Sequence, residues 1–176
     1  GIINRRFGFH NVGFHMGADV ITIDFDGPIS QEALAEIEQE ANRRIWEDRP
    51  LRCWYPEPAE LPAVPYRSKK QLLWPVRIVE IPGTDSCACC GVHVERTGEI
   101  GLIKLLSSVK FRSGSRIEML CGGRALEFLS RNYQQNLQVS RAFSAKLTQT
   151  GAAAEKMNEI LGQHKAKIAA LETEVF

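Results

Sequence analysis

The sequence predicts an α+β fold: a mainly antiparallel sheet with a packed helix, followed by a long C-terminal helix or helical hairpin. Three observations carry this. Short β-branched runs with apolar alternation recur through residues 1–121. Between them, segment 30–46 repeats apolar residues at helical spacing. Past Gly123 proline disappears and a heptad-like stripe takes over.

Segment 1–6 reads as the end of a helix. A strand follows around Asn11-Val12-Gly13-Phe14, then a turn near Gly17-Ala18-Asp19 and a second strand over 20–25, together a hairpin. Ser30 caps the next helix, with Glu32 in its first turn, where the helix dipole favours a carboxylate. Ala33, Leu34, Ile37, Ala41, Ile45 and Trp46 form its apolar side, and Glu36, Glu38, Glu40 and Arg43 its polar side. Segment 50–75 holds six of the eight prolines and reads as loop, with one short helical turn around Lys69 to Leu73. A connection this long inside a compact domain points to function.

Segment 75–82 alternates and reads as a strand that delivers the chain into a cysteine cluster. A buried strand is expected at 102–106. A hairpin is expected to turn at Ser113-Gly114-Ser115. Leu129, Tyr133, Phe143, Leu147, Ala154, Met157, Leu161, Ile168 and Leu171 form the stripe, interrupted by Asn136, Ser140, Thr150 and His164. A break is expected near Gly151. The organisation is therefore an α+β domain at 1–121 and a helical connector at 122–176. An apolar heptad stripe seldom stays alone in water, which makes the C-terminal helix a candidate homodimer contact.

Charge nearly cancels, with 22 basic and 21 acidic residues, so nucleic-acid binding must come from a local patch. No apolar run is long enough to span a bilayer, so no membrane partner is expected. The N-terminal basic residues follow the apolar ones, unlike a signal peptide, which points to the cytoplasm and to reduced thiols. The chain starts without methionine inside a helix-like segment, and the expectation is a piece of something longer.

Three of the five cysteines lie in Cys87-Ala88-Cys89-Cys90-Gly91-Val92-His93. Cys89 and His93 are four apart. Thiolate and imidazole suit zinc in a tetrahedral shell, although two ligands do not complete one. Small semi-buried thiols, or a redox pair within Cys87-x-Cys89-Cys90, are the alternatives. His10 and His15 would lie on opposite faces of a strand and read as structural, and His164 falls in the helical stripe. Arg67, Lys69, Lys70, Lys104, Lys110, Arg112 and Arg116 read either as a solvated surface or as phosphate contacts.

The run Cys89-Cys90-Gly91-Val92-His93-Val94-Glu95-Arg96-Thr97-Gly98-Glu99-Ile100-Gly101, followed by Arg116-Ile117-Glu118, resembles the editing domain shared by alanyl-tRNA synthetases and free-standing alanyl-tRNA editing proteins. The family pattern is Cys-x-Gly-Thr-His, Thr-Gly-Glu-Ile-Gly and Arg-Ile-Glu. Asn11-Val12-Gly13-Phe14-His15-Met16-Gly17 with Thr22-Ile23-Asp24 resembles the preceding strand pair, so the likeness covers roughly 1–121. The resemblance implies a zinc site with Cys89 and His93 as ligands, completed by a His-x-x-x-His pair on a helix upstream of Gly1. It implies substrate contact at Gly91 and Val92, where Val92 replaces the family threonine and removes a hydroxyl from beside the metal. It further implies hydrolysis of serine or glycine wrongly esterified to alanine tRNA, by metal-bound water. Contact with the acceptor end of tRNA(Ala) is then expected at Arg67, Lys69, Lys70, Arg112 and Arg116. The alternatives are a segment of an alanyl-tRNA synthetase and a non-catalytic tRNA-binding or interaction module.

Overall fold

The computed structural model describes residues 1–68 and 72–175. Its elements run α1 (Ile2–Phe7), β1 (Asn11–Met16), β2 (Ile21–Phe25), α2 (Gln31–Trp46), β3 (Arg52–Trp54), β4 (Ile78–Ile81), β5 (Asp85–Ala88), β6 (Ile103–Phe111), β7 (Gly114–Cys121), α3 (Gly122–Ala142) and α4 (Thr150–Val175). Short 3-10 turns lie at Leu61–Ala63 and Thr97–Ile100. Gly1–Leu126 and Glu127–Phe176 form two compact units.

The first unit is built on two antiparallel sheets, β1-β2-β7-β6 and β3-β4-β5, which is the α+β class expected. Ile21, Ile117 and Leu105, with Leu34 and Ile37 from α2, are buried at the core. The remaining face of the large sheet carries Asp24, which accepts two bonds from Arg116 directly opposite it, at 2.7 and 2.9 Å.

α2 starts as its sequence dictates, with the Ser30 hydroxyl accepting from Ala33 N–H at 3.2 Å. Two details differ from expectation. Trp46 is 70% exposed and reaches Gly101 O through its indole N–H at 3.2 Å, because the core ends one residue earlier, at the buried Ile45. Glu38 does not face solvent. Its carboxylate accepts from Leu105 N–H at 2.6 Å and pairs with Lys104 Nζ at 2.9 Å. Asn42 exchanges two 2.8 Å bonds with the Ile103 backbone. Together they satisfy the start of β6, an edge strand that would otherwise leave these groups unpaired.

The β6–β7 turn lies one residue earlier than expected, at Arg112 and Ser113, since Phe111 pairs with Gly114. Arg112 takes φ 54° there. Gly114 belongs to the strand, where a Cβ would come within 2.0 Å of Phe25 O, so close passage of β7 past the end of β2 demands glycine. The proline-rich segment is not wholly loop. It contributes β3, and Arg67 makes a parallel bridge to Cys87. The helical turn expected around Lys69 to Leu73 falls in part outside the described residues.

In the second unit the helices break at residues 143–149 rather than at Gly151, which lies inside α4. The residues that interrupt the stripe close this corner. Asn136 donates to Leu147 O at 2.8 Å and accepts from the Thr150 hydroxyl at 2.7 Å, and the Ser140 hydroxyl donates to Ala145 O at 2.6 Å.

Candidate metal centre

The expected single strand before the cysteine cluster is a hairpin. β4 ends at Ile81, the chain turns through Pro82-Gly83-Thr84, and β5 carries Asp85 to Ala88 back along it. Pro82 and Gly83 end the apolar alternation, and Gly83 takes φ 70°. Sequence reading missed β5 because Asp85-Ser86-Cys87-Ala88 has neither alternation nor β-branching.

Cys89 leaves the sheet immediately after β5, and Arg77 on the adjacent chain fixes its direction. Cys89 N–H donates to Arg77 O at 3.1 Å. The Arg77 guanidinium donates back to Cys89 O at 3.0 Å and to Gly91 O at 2.7 Å. The loop is thus held by charge-assisted bonds from a single side chain. The Cys89 thiol lies over Gly91, at 3.5 Å from where a Cβ would stand. Val92 is fully exposed, and His93 is exposed beside it. Partial burial, followed by the positive charge of Arg77, holds the His93 imidazole below its usual pKa. The neutral ring is the form that ligates a metal.

Cys87 is in a different environment. Burial, and then the negative charge of Asp85, pushes its thiol above the usual value. Such a thiol stays protonated near neutrality and is a poorer ligand and nucleophile than its neighbours. Cys53, Cys90 and Cys121 are free thiols as well.

Behind the loop, Thr97-Gly98-Glu99-Ile100 forms a 3-10 turn locked to the end of α2. Thr97 is 2% exposed. Its hydroxyl accepts from Arg49 N–H at 2.9 Å and donates toward Arg44 O and Ile45 O at 3.0 and 3.1 Å. Gly98 N–H donates to Asp48 Oδ1 at 3.2 Å, where a Cβ on Gly98 would sit 2.4 Å from that oxygen. Arg96 Nε pairs with Asp48 Oδ2 at 2.8 Å. Arg77, Asp48, Arg49 and Thr97 support the site, and local sequence patterns did not single them out, because each partner is distant along the chain.

The basic residues expected to meet tRNA divide. Arg67 Nε donates to Asp85 Oδ1 at 2.9 Å, and a second bond joins Nη2 to Oδ2. Arg116 is bound to Asp24 and lies 3.8 Å from the Phe111 ring centroid. Arg112 lies at the hairpin turn, 5.2 Å from the same ring. Lys69 and Lys70 lie outside the described residues. Among the described residues, no group of three or more His, Cys, Asp or Glu side chains is arranged to hold a metal ion.

Residues 76–120 match the family described as the threonyl and alanyl tRNA synthetase second additional domain. This segment runs from the strand bearing Arg77 through the Cys89 loop and the Thr97 turn to β7. The chain is 33% identical over 190 residues to the alanine–tRNA ligase of Thermofilum pendens, an alignment covering 99% of this chain and 20% of that protein. It is 31% identical over 137 residues to the alanyl-tRNA editing protein Aarsd1-A of Xenopus laevis, covering 75% of this chain and 33% of that one. The alanine–tRNA ligase of Methanosphaera stadtmanae is 37% identical over 108 residues, 58% of this chain and 12% of its own. The chain therefore spans a third or less of the length of these relatives. The chain belongs to the alanyl-tRNA synthetase editing-domain family, whose second additional domain alanine–tRNA ligases and alanyl-tRNA editing proteins share.

Proposed function

We propose that this chain is the editing core of an aminoacyl-tRNA deacylase, which hydrolyses the ester joining serine or glycine to tRNA(Ala). The observation that carries the reading is the Cys89–His93 loop. It lies inside the matched domain and is held in place by Arg77. Editing answers a physical limit, since a binding pocket separates small apolar amino acids by only about 10- to 200-fold.

Cys89 and His93 fit zinc in kind and fall short of it in number, so we take them as two of its ligands and assign no step to the ion. The chain's own residues supply the setting. Arg77 aims the loop and keeps His93 neutral, and Gly91 leaves the flank of Cys89 open. Val92 presents an apolar side chain where the substrate would approach. We further propose a cytoplasmic location and contact with the tRNA acceptor end. Arg112 and the segment around Lys69 and Lys70 are better placed for that contact than Arg67 and Arg116, whose guanidinium groups are engaged within the fold.

The test is deacylation of seryl-tRNA(Ala) and glycyl-tRNA(Ala) by the full-length gene product. Cys89→Ala and His93→Ala should each remove activity while tRNA affinity is retained, and Cys87→Ser should keep it. A full-length protein that leaves both substrates intact overturns the reading.

A second reading has its own support in the alignment of 99% of the chain with an alanine–tRNA ligase. The chain would then be a segment of a ligase, and the full-length product would charge tRNA(Ala) with alanine at the expense of ATP. The non-catalytic module is the outcome in which tRNA binds and neither reaction occurs.

A further inference from the structure

The small sheet ends in an exposed aromatic ledge beside the Cys89 loop. Trp54, Ile78 and Ala88 form one paired row across β3, β4 and β5. The next residues to leave that row at the same end are Tyr55, Arg77 and Cys89. The 3.1 Å bond from Cys89 N–H to Arg77 O continues the pairing one step beyond the regular strands. Directly opposed residues share a face of a sheet, so the continued register sets Tyr55 two strands from Cys89, roughly 10 Å away. That span is comparable with one nucleotide.

Tyr55 is 61% exposed, and Trp74 is 56% exposed. They are neighbours, because the Trp74 indole N–H donates to the carbonyl of Pro56 at 3.3 Å, and Pro56 itself is fully buried. The indole is therefore tethered to a rigid base with its ring still open to solvent. Aromatic side chains bury about 150–250 Å² each when packed, so two left exposed side by side forgo a large gain. Contiguous exposed apolar surface of this kind marks a binding site more often than an accident. The next turn carries Glu57 and Glu60, both exposed, which disfavour a phosphate on that side. The positive charge that reaches the ledge comes from Arg77, on the Cys89 side.

We propose that Tyr55 and Trp74 form a stacking platform for the unpaired base at the 3′ end of the RNA, holding its esterified ribose toward the Cys89–His93 loop. The proposal rests on the tRNA-editing reading above and adds to it the residues that hold the end of the substrate. The occupant is a base rather than a phosphate, because aromatic faces stack on any base while the carboxylates of Glu57 and Glu60 repel anions.

The test uses the 176-residue chain and an RNA hairpin ending in single-stranded ACCA, with binding followed by fluorescence anisotropy. Tyr55→Ala and Trp74→Ala should each weaken binding by about 5- to 150-fold, the range for loss of one stacked base. Tyr55→Phe should bind as the wild type. The slope of affinity against salt should stay unchanged in all three, because no phosphate contact is removed. A hairpin whose terminal ribose lacks its base should show the same weakening with unaltered protein, which keeps the test valid where a variant fails to fold.

Wild-type affinity for the abasic hairpin, or folded Tyr55→Ala and Trp74→Ala proteins that bind normally, overturns the platform. Neither result touches the deacylase reading, which stands or falls on hydrolysis by Cys89→Ala. Hydrolysis unaffected by Cys89→Ala would overturn that reading and leave a stacking platform measured by binding intact.

Discussion

Arg77 and Cys89 are bonded to each other twice, in opposite senses: the cysteine amide donates to the arginine carbonyl at 3.1 Å, and the arginine guanidinium donates to the cysteine carbonyl at 3.0 Å. The backbone bond continues a sheet ladder, and the side-chain bond bends the chain away from it. The orientation of the candidate ligand loop is thus set by β4, the neighbouring strand.

Replacing Arg77 by methionine keeps the length of the side chain and removes both charge-assisted bonds. Side chains that orient metal ligands typically contribute about 10- to 100-fold in metal affinity. Cobalt affinity of the full-length protein, read from its thiolate charge-transfer band, should fall by that factor in Arg77→Met. The charge of Arg77 lowers the His93 pKa, so its removal should raise the imidazole pKa in an NMR titration. Metal binding should then fail at a higher pH in the variant than in the wild type, because only the neutral ring ligates. An unchanged pH midpoint would refute the electrostatic part of this account.

Thr97→Val keeps the shape of a buried side chain and deletes its hydroxyl. Arg49 N–H then loses an acceptor at the end of α2, and the Arg44 and Ile45 carbonyls lose a donor. Leaving buried groups unmatched costs about 1–3 kcal/mol, a fall of roughly 4–12 °C in Tm for a unit of this size. Thr97→Ser should recover most of the loss in a thermal melt. If valine and serine melt together, the lock contributes no stability through its hydroxyl.

Burial by itself would raise the Asp85 carboxyl, but the Arg67 guanidinium and the Gly1 amine outweigh it and hold the pKa below the ordinary carboxylate value. A carboxylate whose pKa is depressed on folding adds stability that is fully present above its unfolded value, near 3.9, and is lost as pH falls through the lower folded value. Urea unfolding of the wild type and Asp85→Asn should therefore differ most at neutral pH and converge in acid, below about pH 4. A difference that grows on acidification would contradict the sign.

Leu161, Ile168 and Leu171 are each at least half exposed along α4, at heptad-compatible spacing. If α4 pairs with a second copy, the wild-type chain should sediment as a dimer at micromolar concentration, and Leu161→Lys with Ile168→Lys should sediment as a monomer with unchanged helicity. A monomeric wild type under those conditions eliminates the pairing.

The sequence discloses the elements whose apolar rhythm is local. The hairpin of β1 and β2, α2 with its Ser30 cap, β6, β7 and two long helices all follow from spacing. It does not disclose β3 and β5, which are short and polar and exist because β4 pairs with them on both sides. Cys89 and His93 stand out by chemistry alone. Arg77, Asp48, Arg49 and Thr97 do not, because what each holds lies far along the chain. Glu38 and Asn136 looked like the solvent face and a flaw in the stripe, and both proved to be fasteners, for the β6 edge and for the helical corner. A polar residue on a helix advertises its solubility and conceals any distant backbone group it bonds.

The fastening of β6 by Glu38 and Asn42 gives the large sheet a single direction of growth. An incoming strand, whether from a fusion partner, a domain-swapped copy or an aggregating neighbour, finds the opening of β6 already taken by α2 side chains. The opposite margin, β1, offers its ladder together with exposed Val12, Phe14 and Met16. Misassembly of this protein is therefore channelled to residues 11–16, and one charged side chain placed there would guard the whole sheet.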